Sequence, residues 1–323
     1  MDCTPAVYEH AAYLIGRTPW EVSRDVELTY QAHAEAYRRY HHSPVVVSID
    51  IYNLEGEAYG AVVAEPRGTG IPAILKPLCQ SVDELGQLPP FDPQADGRIP
   101  LVLAAATRLA AEFPEADVRL PMAGPMSIAS NLLGIEPLLM EIVSRPEATM
   151  AALMHLVDAQ LRFARAVVEA DLDVAFFESA AAPPLLSPQM FRDVELPALK
   201  AIMIQTAEIV GHPVPCVIGG DTEPILDSLL ETGTGYLINP IETDQEAFMR
   251  KVWDRTDVRV RVNASPKIMA RGTRAELRAE VERIAKISHG RSNTCFGTSA
   301  LPYETPPENV EYVQELCQAL ESA

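Results

Sequence analysis

Short apolar runs rich in β-branched side chains recur along this chain, with helical stretches between them. They are Pro44–Ile49, Val118–Met122, Leu172–Phe177, Val214–Ile218, Tyr236–Ile238, Val258–Val262 and Asn293–Phe296. Most are apolar almost throughout rather than alternating, the pattern of parallel strands covered on both faces. Helix starts between them are legible as capping boxes: Thr18…Glu21, Ser144…Glu147, Thr273…Glu276 and Thr305…Glu308, with Ser187-Pro188 opening another helix. Strand and helix alternate for nearly the whole length without a linker or short repeat, which predicts an α/β fold. In 323 residues such a series favours a (β/α)8 TIM barrel as a single domain. An open doubly wound sheet is the alternative, weakened because no Gly-x-Gly-x-x-Gly follows the first strand. Residues 1–43 read as an N-terminal helical extension and 44–323 as the barrel. Leu54–Pro90 fits poorly as plain strand–helix units and reads as a small hairpin insertion near the mouth.

Composition narrows the function. Lys+Arg 26 against Asp+Glu 45 leaves a formal charge of −19, which repels phosphate backbones and anionic lipid and argues against nucleic-acid or membrane binding. No apolar run approaches a membrane span; Leu101–Ala111 is broken by Arg108. The first residues carry no basic region followed by an apolar core. Five scattered cysteines without a CxxC pair suggest reduced thiols. A cytoplasmic enzyme is the expectation.

In a barrel the chemistry gathers where strands end. The polar residues there are Asp50, Glu178 with Ser179, Asp221, Asn239 with Glu242, Asn263 with Ser265, and Thr298 with Ser299. Asp221-Thr-Glu-Pro224 reads as a helix start. Asp50 and Glu178 each follow an apolar run directly, so each is expected at a strand tip beside buried surface, where a carboxyl can serve as acid, base or ligand. His41-His42 have no spaced ligand partners and read as surface residues. No HExxH, GxSxG, Walker loop or paired CxxC occurs.

Several segments together resemble the uroporphyrinogen decarboxylase superfamily: SIDIYNLEGEAYG (48–60), GPMSIASNLLG (124–134), FFESAAAPPLLSPQMFRDVELPAL (176–199), CVIGGDTEPIL (216–226) and ALPYETPPENV (300–310). The resemblance runs from about Arg17 to the end and implies a (β/α)8 barrel. Within the superfamily, the decarboxylase pattern matches at Asp50 and Ser179 but departs from it elsewhere. Its active-site Tyr falls at Asn131, its C-terminal His falls at Ser299, and no Arg-rich motif precedes Ser48. The enzymes that methylate coenzyme M carry a zinc-binding His-x-Cys and a later Cys; the matching positions here are Val217, Gly219 and Ser299, so a metal's ligands are not identifiable. GRTPWEVSRDVEL (16–28) and DIYNLEGEAYG (50–60) resemble the first methyltransferases of corrinoid-dependent O-demethylase systems. That branch implies methyl transfer from a small methyl donor, such as a methoxylated aromatic or other methyl ether, to cob(I)alamin on a separate corrinoid-binding protein. A divalent metal such as zinc and a homodimer are compatible with it. Asp50 and Glu178 are the expected catalytic pair, facing one pocket. Tyr52, Asn53, Glu57, Asn131, Ser179, Asp221, Asn239 and Ser299 are the expected substrate-binding positions. A decarboxylase or lyase of a small acid on the same fold, or a metal-free binding barrel, are the alternatives.

Overall fold

The computed structural model of the protein describes residues 1–321. Among the described residues ten strands occur: β1 (Cys3–Ala6), β2 (Val45–Val46), β3 (Val63–Ala64), β4 (Ala73–Ile74), β5 (Val118–Ala123), β6 (Asp173–Glu178), β7 (Pro215–Ile218), β8 (Tyr236–Asn239), β9 (Arg259–Asn263) and β10 (Thr294–Ala300). Eight of them form one parallel sheet in the order β1-β10-β9-β8-β7-β6-β5-β2. The two ends of that order are the first two strands of the chain, and the sheet curls into a nearly closed (β/α)8 barrel ringed by helices. β3 and β4 pair antiparallel as the expected hairpin insertion.

One strand was not legible as such. Cys3–Ala6 falls inside the segment read as an N-terminal helical extension, yet it pairs in parallel with β10, Cys3 opposite Phe296 and Thr4 opposite Gly297. Its sequence, Cys-Thr-Pro-Ala, has no apolar β-branched run; the open edge of β10 recruits it. The rest of the extension is helical, over Glu9–Leu14, Pro19–Ser23 and Val26–Tyr40. The Thr18 and Thr273 capping boxes are both closed reciprocally, and Ser187 caps its helix through the Met190 amide. Ser144 instead donates back to the Met140 carbonyl, and the next helix starts at Pro146 without a side-chain cap. The Thr305 hydroxyl donates to the Pro302 carbonyl.

Strand alternation divides the core in two. On β6, Val174 and Phe176 face the helices and join the main core. Ala175 and Phe177 face inward, where they meet Ala6, Tyr8, Val46 and Ile51. Small inward residues such as Ala6, Ala175 and Gly297 leave the barrel incompletely filled. A cavity of about 480 Å³ opens at the C-terminal ends of the strands, and another of about 230 Å³ lies toward their N-terminal ends. His42, read as a surface residue, is buried, packed near Tyr37 and Tyr40; His41 is exposed. Among the described residues no single helix is long and apolar enough to cross a membrane.

Candidate active site at the barrel mouth

The mouth cavity is walled mainly by apolar side chains, among them Ile49, Ile51, Phe177, Val217 and Ile238, with Ile71 and Pro72 of the hairpin insertion closing one side. Few polar groups converge on it: Glu9, Asp50, Asn53, Glu242, Arg261, Asn263 and Ser299. A mostly apolar cleft with a handful of placed polar groups is the usual form of a small-molecule site.

Asp50 lies just beyond β2 and lines this cavity, but its carboxylate is fully engaged. Arg98 Nη1 donates to Oδ1 at 2.8 Å and Nη2 to Oδ2 at 2.6 Å, while Asn53 Nδ2 donates to Oδ2 at 3.0 Å. Arg98 also pairs with Glu57, which pairs in turn with Arg24, whose guanidinium lies over the Trp20 ring. Asn53 Nδ2 further donates to the Pro72 carbonyl at 2.7 Å. The network therefore runs from the N-terminal helix Pro19–Ser23 to the hairpin and fixes the cavity wall. Asp50 is its buried hub rather than a free acid. Glu57 belongs to the same network and does not line the cavity.

Glu178 sits elsewhere. Because Phe177 faces inward, the period of two turns Glu178 outward, beneath the first turn of the helix Pro125–Leu133. There it accepts from the Ser127 amide at 2.7 Å, the Met126 amide at 3.2 Å and the Ser127 hydroxyl. Positive helix ends attract a carboxylate, and Gly124 has no Cβ to obstruct it. Its acidic neighbour is Glu195, in a π-helical turn over Phe191–Glu195, and not Asp50. Burial raises both carboxyls, and the proximity of Glu178 raises Glu195 further. The expected Asp50–Glu178 pair across one pocket is therefore not formed.

The other expected positions divide by the same alternation. Tyr52, Asn53 and Ser299 line the cavity. Asn131 stays behind it, donating to the Tyr52 carbonyl at 2.6 Å. Ser179 is exposed, 3.1 Å from Ser127 Oγ. Asp221 accepts from Thr243 Oγ1 at 2.7 Å, and that hydroxyl accepts from the Glu223 amide at 3.0 Å, a relay that anchors a helix start. Asn239 faces outward and exchanges hydrogen bonds with the Gln245 backbone and side chain. Val217, Gly219 and Ser299 all line the cavity, so the positions expected to carry zinc ligands do face the mouth. Val217 and Gly219 offer no donor atom, and the Ser299 hydroxyl is spent on the Ala264 carbonyl at 2.8 Å. Cys216 faces the opposite side, towards Glu178 and Glu195, and burial pushes its thiol up. Among the described residues no group of three His, Cys, Asp or Glu could hold a metal ion. This donor set does not fit zinc.

Two residues of the cavity carry chemistry that the sequence did not reveal. Glu9 opens the helix after β1; burial at the mouth raises its carboxyl to about 7. Arg261 projects from β9 into the barrel and is 6% exposed. Neither follows an obvious apolar strand as its terminal residue, so neither stood out.

A parallel (β/α)8 barrel with a mostly apolar cleft of about 480 Å³ at the strand C-termini defines the class as a TIM-barrel enzyme. Residues 2–320 match the family Uroporphyrinogen decarboxylase (URO-D), and the chain belongs to that family. It is 25% identical over 260 residues to the methylcobamide:CoM methyltransferase MtaA of Methanosarcina barkeri, covering 79% of this chain and 74% of that one. It is 30% identical over 233 residues to the uroporphyrinogen decarboxylase of Thermus thermophilus, covering 68% of this chain and 64% of that one. A solved methyltransferase from Methanosarcina mazei shares the fold, with a TM-score of 0.84, 20% identity, and 99% and 94% of the two chains covered.

Proposed function

We propose that the protein transfers a methyl group between a small methyl donor, such as a methyl ether, and the cobalt of a separate corrinoid protein docked over the mouth. The observation that carries this reading is the cavity itself: about 480 Å³, mostly apolar, with Glu9 as a carboxyl poised near neutrality. The likeness to a methylcobamide methyltransferase over most of the chain supports it. The corrinoid, brought by its own protein, would accept the methyl group as cob(I)alamin. This chain's residues would do the rest. Tyr52, Asn53 and Phe177 would orient the donor, and the apolar wall would exclude water. A departing alkoxide or phenolate needs a proton, which Glu9 can hold at its carboxyl below about pH 7. The hairpin, whose Ile71 and Pro72 close one side of the cavity, also exposes Val62 and Leu75, 75% and 76% accessible.

Decarboxylation of a small acid is the second reading, favoured by Asp50 at the cavity wall and by the Thermus relative. A large polyanionic porphyrinogen fits poorly, because Arg261 is the sole cation among the residues lining the mouth cavity. Mixing the protein with a reduced corrinoid protein and a panel of methyl ethers should convert the cob(I) spectrum to methylcob(III). No conversion with any ether, given an active corrinoid protein, overturns the methyl-transfer reading. Carbon dioxide released from an acid without corrinoid would establish the second.

A further inference from the structure

The interior of this acidic barrel holds a cation without a counter-ion. Arg261 lies on the inner wall and borders both the mouth cavity and the lower one. Its Nε donates to Asn263 Oδ1 at 3.1 Å. Among the described residues no carboxylate forms an ion pair with it. The other buried arginines are arranged differently. Arg98 is clamped by Asp50 and Glu57. Arg291 is wrapped by the carbonyls of Val252, Asn293, Arg255 and Val258. The neighbouring Arg259, on the same strand, pairs with Asp2 at 2.7 Å.

The surroundings of Arg261 are built to keep it in place. A Cβ at Gly297 on the adjacent strand would come within 2.5 Å of Arg261 Cγ, so the glycine leaves the channel through which the side chain runs. The phenols of Tyr8 and Tyr236 flank the guanidinium, within its electrostatic reach, and both hydroxyls are buried. A buried guanidinium without a carboxylate counter-ion is costly. A fork of N–H donors with two phenols beside it, under apolar walls, matches one planar carboxylate on a small apolar body.

We propose that Arg261, with Tyr236 and Tyr8, is the anchor for the carboxylate of the protein's small-molecule substrate, so that the substrate class is a monocarboxylic acid. The inference rests on the mouth cavity being the substrate site, as in the reading above. It holds for methyl transfer and for decarboxylation alike. The carboxylate would enter deepest, beside Arg261, leaving the far end of the molecule at the mouth.

Binding without any corrinoid protein separates this inference from the reaction. Calorimetric titration of the whole protein with benzoate should give one saturable site, bound at least about tenfold more tightly than its neutral isostere benzamide. Arg261→Met should abolish the preference for benzoate, and Arg261→Lys should retain part of it. With no ligand present, Arg261→Met should melt at a higher temperature than the wild type, because it removes an uncompensated buried charge. A purely structural arginine would give the opposite shift. Equal affinity for benzoate and benzamide in the wild type overturns the proposal even if the variants fail to fold. So does no binding of either, tighter binding of inorganic phosphate, or unchanged benzoate binding in Arg261→Met.

Discussion

Carboxyls at this barrel's mouth differ by what surrounds each one, and the residue type alone says little. Asp50 is held by a bidentate guanidinium and an amide, so its task is to fix the wall that Asn53 and Tyr52 present. Glu9 has no such cation and sits raised to about 7 by burial. If Glu9 supplies the proton to the leaving group, its acid form is the active one, and the rate should fall as pH rises through about 7. Glu9→Gln should lower kcat by about a hundredfold or more and erase that descending limb. A pH–rate profile of the variant that still falls above pH 7 would assign the proton to another group.

Among the elements, the helix Pro125–Leu133 shows how a strand tip and a helix start depend on each other. Its first amides point at the Glu178 carboxylate, and the approach is close enough that a Cβ at Gly124 would overlap that carboxylate. Gly124 has a φ of −70°, so the backbone would tolerate alanine and only the carboxylate objects. Gly124→Ala should therefore cost about 1–3 kcal/mol in urea unfolding. The double variant with Glu178→Ala should cost less than the sum of the two single changes. Additive losses would mean that the contact is not what constrains the glycine. β1 carries a related lesson, since a four-residue segment with little intrinsic strand preference is fixed by an unpaired neighbouring edge.

The whole molecule carries two sets of buried titrating groups that act in opposite directions on stability. His10, His33 and His42 are buried and held neutral, with burial lowering them to about 4, 4 and 3. Their contribution is present above the unfolded value near 6.5 and is lost as pH falls toward 4. Glu55, fully buried with Oε2 unpaired, is raised to about 8, and Glu9 is raised to about 7. Their contribution is present below the unfolded value near 4.5 and is lost as pH rises through 7 to 8. Each group changes stability by about 1.4 kcal/mol per pH unit within its window. The urea midpoint should accordingly be highest near about pH 6 and decline on both sides. Glu55→Gln should flatten the alkaline decline while leaving the acid one. An unchanged alkaline limb would remove Glu55 from the account.

Apolar runs and cap residues are local signals, and they determined the strand–helix alternation, the barrel and the hairpin insertion from the sequence by itself. The same runs put Asp50 and Ser299 at strand ends, and Tyr52 and Asn53 entered as candidates only with the family resemblance; all four line the mouth cavity. Which way a side chain points at a strand tip is settled by parity against an inward neighbour. Phe177 inside therefore sends Glu178 outside, and Ile238 inside sends Asn239 outside. The isolation of Arg261 and the burial of Glu9 were likewise decided only in three dimensions. Each depends on residues far along the chain, Gly297 and Tyr236 for the arginine and the mouth wall for the glutamate. The charge environment of a group is a sum over neighbours brought together by the closed sheet, and no local pattern encodes it.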